Sequence, residues 1–208
     1  DQELLTIGFH NLRDSVFERM IKRVEKMNWH WALGKLSFQG RMHKEIMTFP
    51  GFHFYSDMLK VLPDYADKQK KLIQPLPDFS YVLTSDMARY IQSSRVCFFS
   101  TKVDLSDPSG KSNQYEAIQI GQIVLFFQQY FKEQHRALTT FDIGIITPYR
   151  AQIACIREYL ISLGLDISLF TIDTVERYQG SARSIIIYSP CLNYPRQLST
   201  LVSKNTDG

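Results

Sequence analysis

Between residues 143 and 188 short apolar runs alternate with helical periodicity, and this alternation constrains the fold more than any other feature. Ile143-Gly144-Ile145-Ile146, Leu169-Phe170-Thr171-Ile172 and Ser184-Ile185-Ile186-Ile187-Tyr188 are nearly continuous rather than alternating apolar and polar. Such runs suit strands buried on both faces, the situation of parallel sheets whose crossovers are helices. The first crossover is explicit in the residues. Thr147 is a good N-cap and Pro148 suits the first helical position, where a missing N–H costs nothing. Ile153, Ile156, Tyr159 and Leu160 then recur at helical spacing up to a Gly164 stop. The fold class is α/β.

The upstream chain supplies further elements. Ser15-Val16-Phe17-Glu18 is a capping box, followed by Val16, Phe17, Met20, Ile21, Val24 and Met27 on one helical face. Lys35-Leu36-Ser37-Phe38 reads as a short strand leading into Gln39-Gly40-Arg41-Met42-His43, with a helix from about Met42 that ends before Pro50. Residues 60–95, with Pro63, Pro75, Pro77 and the basic run Lys68-Gln69-Lys70-Lys71, read as a surface excursion. Val96-Cys97-Phe98-Phe99 is a further strand candidate. Asn113 caps a long helix, with Glu116 three residues on and Ala117, Ile120, Ile123, Val124, Phe127 and Phe131 along it.

Composition narrows the class. A chain of 208 residues with 44% hydrophobic and 22% charged residues has ordinary globular content, which excludes a disordered or collagen-like chain. No run approaches the ~18 consecutive apolar residues of a membrane helix, so no membrane association is expected. The three cysteines are far apart, without metal-ligand spacing, so neither zinc nor a disulfide framework is expected, and a cytoplasmic setting fits best. The net charge of +3 permits nucleic acid as a partner without arguing for it. Asp1 at one end and the polar residues 205–208 at the other read as the ends of an excised piece.

In open parallel sheets ligands gather at the carboxyl ends of strands, and the loops there carry polar residues. Thr147-Pro148-Tyr149-Arg150-Ala151-Gln152 brings a hydroxyl, helix N-terminal amides, a ring and an Arg together. That set suits a phosphate with a stacked base, and equally an N-capped helix with a solvated Arg. Asp173-Thr174-Val175-Glu176-Arg177-Tyr178-Gln179-Gly180-Ser181 is dense in polar residues between two core strands, which fits a phosphate-approaching turn or a plain polar connection. Arg41 stands next to a helix start, where its planar fork could reach phosphate oxygens or stay solvated. His43 reads as a capping or packing residue. Ser109-Gly110-Lys111-Ser112 imitates the end of a phosphate-binding loop, but the required first Gly falls on Leu105, so a Ser/Gly loop explains it.

Taken in order, these blocks resemble superfamily 1 helicases of the Upf-like branch. Leu12 to Met20 is similar to the family's "SLFERL" helix, and Gln39-Gly40-Arg41-Met42-His43 through Phe54-Tyr55 to its "QYRMH…FY" block. Asn113-x-x-Glu116-Ala117 resembles "N-x-x-EA", and Gly144 to Gln152 resembles "GIITPY-x-x-Q". Thr174 to Gly180, followed by Ile185-Ile186-Ile187, resembles motif V, "TVD-x-FQG…II".

The resemblance implies a RecA-like three-layer α/β domain with a central, mainly parallel sheet. It implies that residues 1–208 form the second RecA-like domain of an ATP-dependent helicase or translocase, inactive alone and cut before motif VI, "NVALTRAR". By position, Arg41 would contact the γ-phosphate with Gln39 in support, and Gln179 and Gly180 would line the same cleft. Thr147, Tyr149, Arg150, Thr174 and Arg177 would face single-stranded DNA or RNA. ATP and Mg2+ would be held mainly by the first RecA-like domain, the chain's missing partner. Three departures stand out: Gly40 replaces a family Tyr that can stack on adenine, Ser181-Ala182 stands where an Arg-Glu pair is usual, and Glu176 stands for an Asp. They leave open an alternative, a degenerate RecA-like module that binds nucleic acid or a protein without hydrolysing ATP.

Overall fold

The computed structural model describes residues 15–65, 85–178 and 182–202, and it divides into two compact units, residues 1–72 and 73–208.

In the first unit, α1 (Val16–Lys26) begins where the sequence predicts, with Ser15 Oγ accepting from the Glu18 N–H at 3.0 Å. Its apolar face is not buried: Val16, Phe17 and Met20 are all exposed. Strand β1 (Phe38–Gln39) is followed by α2 (Lys44–Tyr55) and β2 (Lys60–Val61), which pairs with β1 in parallel. The sequence predicts that α2 stops before Pro50, yet it runs on to Tyr55, five residues past that proline. A proline removes one helical N–H. Past it, the Asp57 N–H donates to the Gly51 carbonyl at 3.0 Å, and the Phe49 and His53 rings lie 4.4 Å apart. His43 caps α2 as expected, its Nδ1 accepting from the Glu45 N–H at 3.3 Å.

In the second unit, α3 (Ser85–Ser93) contributes the buried Ala88, and α4 (Gln114–Glu133) is capped by Asn113 Oδ1, which accepts from the Glu116 N–H at 3.0 Å. All six apolar positions predicted for α4 are buried. Strand β3 (Ile143–Ile146) is followed by α5 (Arg150–Ser162), β4 (Thr171–Asp173), the short α6 (Val175–Tyr178), β5 (Ile185–Tyr188) and α7 (Pro195–Val202). β3 is central, parallel to β4 on one side and to β5 on the other. The fold is α/β and RecA-like, with parallel strands.

Helices α4 and α5 cover one sheet face, where Ile143, Ile145, Ile172, Ile185 and Ile187 join the core. The opposite face carries Gly144, Thr171 and Ile186 at one level and Ile146, Asp173 and Tyr188 at the next. Tyr178, the last residue of α6, and Arg183 cover Gly144 on that face. Gly144 is required at this spot, because a Cβ would sit on the Tyr178 hydroxyl and 2.6 Å from its Cζ.

Three expected boundaries shift. Pro148 stays outside α5, whose N-cap is Tyr149 rather than Thr147. The strand expected from Leu169 starts at Thr171, because Leu169 ends a 3-10 turn over residues 167–169 in which Asp166 Oδ1 accepts from the Ser168 N–H at 2.9 Å. Val96-Cys97-Phe98-Phe99 forms no strand: Val96 lies in a bend, Val96 and Phe98 are exposed, and Phe99 makes an edge-on contact with Tyr90 at 5.7 Å. The end of α5 follows the residues: Gly164 takes φ +74° while its N–H and that of Leu165 return to the Ile161 and Leu160 carbonyls, a Schellman cap.

Candidate nucleotide and nucleic-acid site

In the first unit a single side chain shapes the Gln39 to Met42 turn. Gln39 Oε1 accepts from the backbone N–H groups of Arg41 at 2.8 Å and Met42 at 2.6 Å, and its Nε2 donates to the Met42 carbonyl at 2.7 Å. The half-buried amide thereby fixes the backbone on both sides of an exposed Arg41, whose guanidinium has no ion pair among the described residues. Gly40 lies against the segment that follows β2: a Cβ there would meet Leu62 Cδ1 at 2.7 Å and the Tyr65 ring at 3.4 Å. The aromatic ring missing from position 40 has no space there unless Leu62 moves.

In the second unit the three parallel strands end together. Ile146 pairs with Asp173 and with Tyr188, so the loops starting at Thr147, Thr174 and Ser189 leave the same sheet edge. Two bonds carry the alignment one step beyond the strands, from the Thr147 N–H to the Asp173 carbonyl (3.2 Å) and from the Ser189 N–H to the Ile146 carbonyl (2.8 Å). The geometry thus brings Thr147, Tyr149, Arg150, Thr174 and Arg177 to one edge.

Their surroundings differ. Thr147 is 0% exposed, turned inward with its Oγ1 accepting weakly from the Tyr149 N–H at 3.5 Å, so it shapes the loop rather than facing solvent. Tyr149 and Thr174 are half-buried, and Arg150 is exposed at the first position of α5. Arg177 is exposed and 3.8 Å from the Asp173 carboxylate. Gln179 and Gly180 lie outside the described residues.

A buried polar network supports this edge, and sequence reading did not find it. Gln152, 0% exposed, accepts at Oε1 from the Asn113 N–H (2.7 Å) and donates from Nε2 to the Asn113 carbonyl and to Ser189 Oγ, each at 3.1 Å. Ser189 Oγ in turn donates to Glu116, which also accepts from the Cys191 N–H at 3.1 Å. Asn193 Oδ1 accepts from Asn113 Nδ2 at 2.8 Å and from the Asp104 N–H at 3.1 Å. The Gln114 and Ser106 bonds hold the Asp104 carboxyl below its ordinary range, while burial, then Glu116, pushes the Cys191 thiol up to about 12. The signal was present in one place: Gln152 lies on the same helical stripe as Ile156 and Leu160, a polar residue on a core face.

The Ser109-Gly110-Lys111-Ser112 segment is not a phosphate cradle. The Asp107 carboxylate accepts from the Ser109 N–H (2.8 Å), the Lys111 N–H (3.1 Å) and both serine hydroxyls, which lowers its pKa to about 2. The amides that would bind phosphate are already used, as the missing first Gly anticipated.

A parallel α/β sheet whose polar loops leave one carboxyl edge defines a RecA-like domain. A family model described as an AAA domain matches residues 12–202, and the chain belongs to that family, in the Upf-like branch of superfamily 1 helicases. It is 28% identical over 193 residues to the DNA replication ATP-dependent helicase/nuclease DNA2 of Xenopus tropicalis, covering 86% of this chain and 17% of that protein. It is 28% identical over 183 residues to the DNA polymerase alpha-associated DNA helicase A of Schizosaccharomyces pombe, covering 84% and 25%. Helicase sen1 of the same yeast is 25% identical over 188 residues, covering 89% and 10%. The chain therefore spans between 10% and 25% of the length of these relatives.

Proposed function

We propose that residues 1–208 are the second RecA-like domain of an ATP-dependent helicase or translocase and work with a first RecA-like domain that holds most of the ATP and Mg2+. Alone, the domain hydrolyses nothing. The observation that carries this reading is the turn in which Gln39 fixes the backbone beside the exposed Arg41. Phosphoryl transfer depends on positioning and on neutralising charge, so an Arg held this way and delivered by a moving domain couples closure to hydrolysis. The strand-end loops form part of a track for single-stranded DNA or RNA: Tyr149 and Thr174 present a ring and a hydroxyl, Arg150 and Arg177 present charge, and Thr147 holds the loop shape. Backbone-directed groups of this kind grip a strand without reading sequence, as translocation requires.

The test is nucleic-acid-stimulated ATPase activity of the full-length protein carrying Arg41→Ala. We expect kcat to fall by about 10³-fold, in the range of other transition-state arginines, with the melting temperature unchanged because Arg41 is exposed. Undiminished turnover would remove Arg41 from the reaction. The close packing of Gly40 on Leu62 favours a second reading, a RecA-like module that binds without hydrolysis. A full-length wild-type protein that binds single strands but never hydrolyses ATP would select it.

A further inference from the structure

Gln197, in α7, stands 8% exposed at the junction of three segments, none of which a sequence motif assigns to it. Its Oε1 accepts from the Asn193 N–H at 2.9 Å and the Tyr194 N–H at 2.8 Å, which fixes the chain entering α7. Its Nε2 faces the Gly110 carbonyl at 2.8 Å, the Cys191 carbonyl at 3.2 Å and the Tyr149 hydroxyl at 3.4 Å. The Gly110 end is rigid. Gly110 takes φ +66°, and a Cβ there would lie 2.6 Å from the Tyr194 ring, so only glycine lets that ring close over the loop.

Gln197 therefore joins the Asp107-centred loop and the chain after β5 to the tip of Tyr149. Tyr149 begins α5 without a side-chain cap of its own, and Thr147 bonds only its backbone. Gln197 is the one described side chain recorded as a hydrogen-bond partner of the Tyr149 hydroxyl. A phenol on the surface of a helix start has several orientations open to it, and a bond to a buried amide selects one before any ligand arrives. Binding then costs less ordering entropy.

We infer that Gln197 is a positioning residue for single-stranded nucleic-acid binding, acting through the Tyr149 hydroxyl. The inference rests on the reading of Tyr149 as a nucleic-acid contact. The test uses the full-length protein and a fluorescent oligo(dT) probe, with the variants Gln197→Met, Tyr149→Phe, their combination, and Tyr149→Ala. We expect Gln197→Met and Tyr149→Phe each to raise Kd about two- to threefold, less than one full neutral hydrogen bond, because two Nε2 hydrogens serve three acceptors and the Tyr149 hydroxyl is the farthest at 3.4 Å. The double variant should be no weaker than Tyr149→Phe alone, because the shared bond is lost only once. The slope of log Kd against log salt should stay at the wild-type value in all three, since no phosphate contact is removed.

Additive effects of the two substitutions would overturn the inference, as would an unchanged Kd in Tyr149→Phe. Tyr149→Phe removes one partly accessible oxygen and decides the matter even if Gln197→Met fails to fold. An unchanged Kd in Tyr149→Ala would show that Tyr149 is no nucleic-acid contact, a failure of the underlying reading that carries the inference down with it.

Discussion

Gln152 and Asn113, 39 residues apart in sequence, form a closed pair in which one side-chain amide satisfies both the N–H and the carbonyl of a single backbone residue. The pair ties the first turn of α5 to the cap of α4, and Asn113 also caps that helix with its own side chain. All of this is buried, so no water replaces a lost partner. Gln152→Leu keeps the volume but leaves the buried Asn113 N–H unsatisfied, at about 1–3 kcal/mol, and removes the bond to Ser189 Oγ, while the Asn113 carbonyl keeps its bond from the Ala117 N–H at 3.2 Å. We expect urea unfolding of the 208-residue chain to show a loss of about 3 kcal/mol; a loss under about 1 kcal/mol would mean the network contributes little.

Gly144 and Tyr178 make a second prediction, steric instead of polar. The phenol of Tyr178 occupies the space a side chain at Gly144 would need, while Arg183 donates from Nη2 to Thr171 Oγ1 at 2.9 Å on the neighbouring strand. Gly144→Ala should cost about 2 kcal/mol as overpacking. Adding Tyr178→Phe to it removes the atom in closest conflict and should return part of that loss. Equal stability of the single and double variants would show that the conflict is relieved some other way.

Asp142 gives a pH prediction. Its burial alone would raise the carboxyl pKa, but the paired bonds from Arg136 at 2.7 and 3.2 Å, with those from the Thr139 hydroxyl and N–H, outweigh burial and lower it from 3.8. A carboxyl with a depressed folded-state pKa contributes its full stability above the unfolded value and loses it as pH falls through the folded one. Stability of the wild-type chain should therefore decline below about pH 4. Asp142→Asn should be less stable at neutral pH and show a shallower decline in acid. Parallel pH curves for the two proteins would contradict the assignment.

The elements that depend on local chemistry were legible in the residues. Ser15 and Asn113 cap their helices as the capping boxes indicate, Gly164 ends α5, and the three apolar runs all reach the central sheet. Failures came where a long-range partner decides. Val96 to Phe99 has strand composition, but a strand also needs a neighbour to pair with, and sequence does not reveal whether one is present. The start of β4 moved from Leu169 to Thr171 for a local reason, the bond that the Asp166 side chain offers the Ser168 N–H. At the candidate site the segments that carry Tyr149, Arg150, Thr174 and Arg177 do leave one edge of the sheet, although Arg150 and Arg177 stand in the first turns of α5 and α6 rather than on loops. The sequence could not show that Thr147 points inward, nor that Asn193 and Gln197, more than 40 residues further on, buttress the same edge, because such bonds leave no periodic trace.

Arg150 supports a last prediction, in which stability and binding move in opposite directions. It is the first residue of α5, a helix with no acidic residue in its first turn. The unpaired N–H groups there carry partial positive charge, so a cation at this position is unfavourable in the unbound protein. An anion brought to the same place reverses the sign, since it meets the guanidinium and the helix end together. Arg150→Glu should therefore raise stability by about 0.5–1 kcal/mol. In the full-length protein it should weaken single-strand binding at least tenfold at low salt and lower the salt slope by about 1 or more. A charge placed for solubility alone would let stability rise without touching affinity, and that result would take Arg150 off the nucleic-acid track.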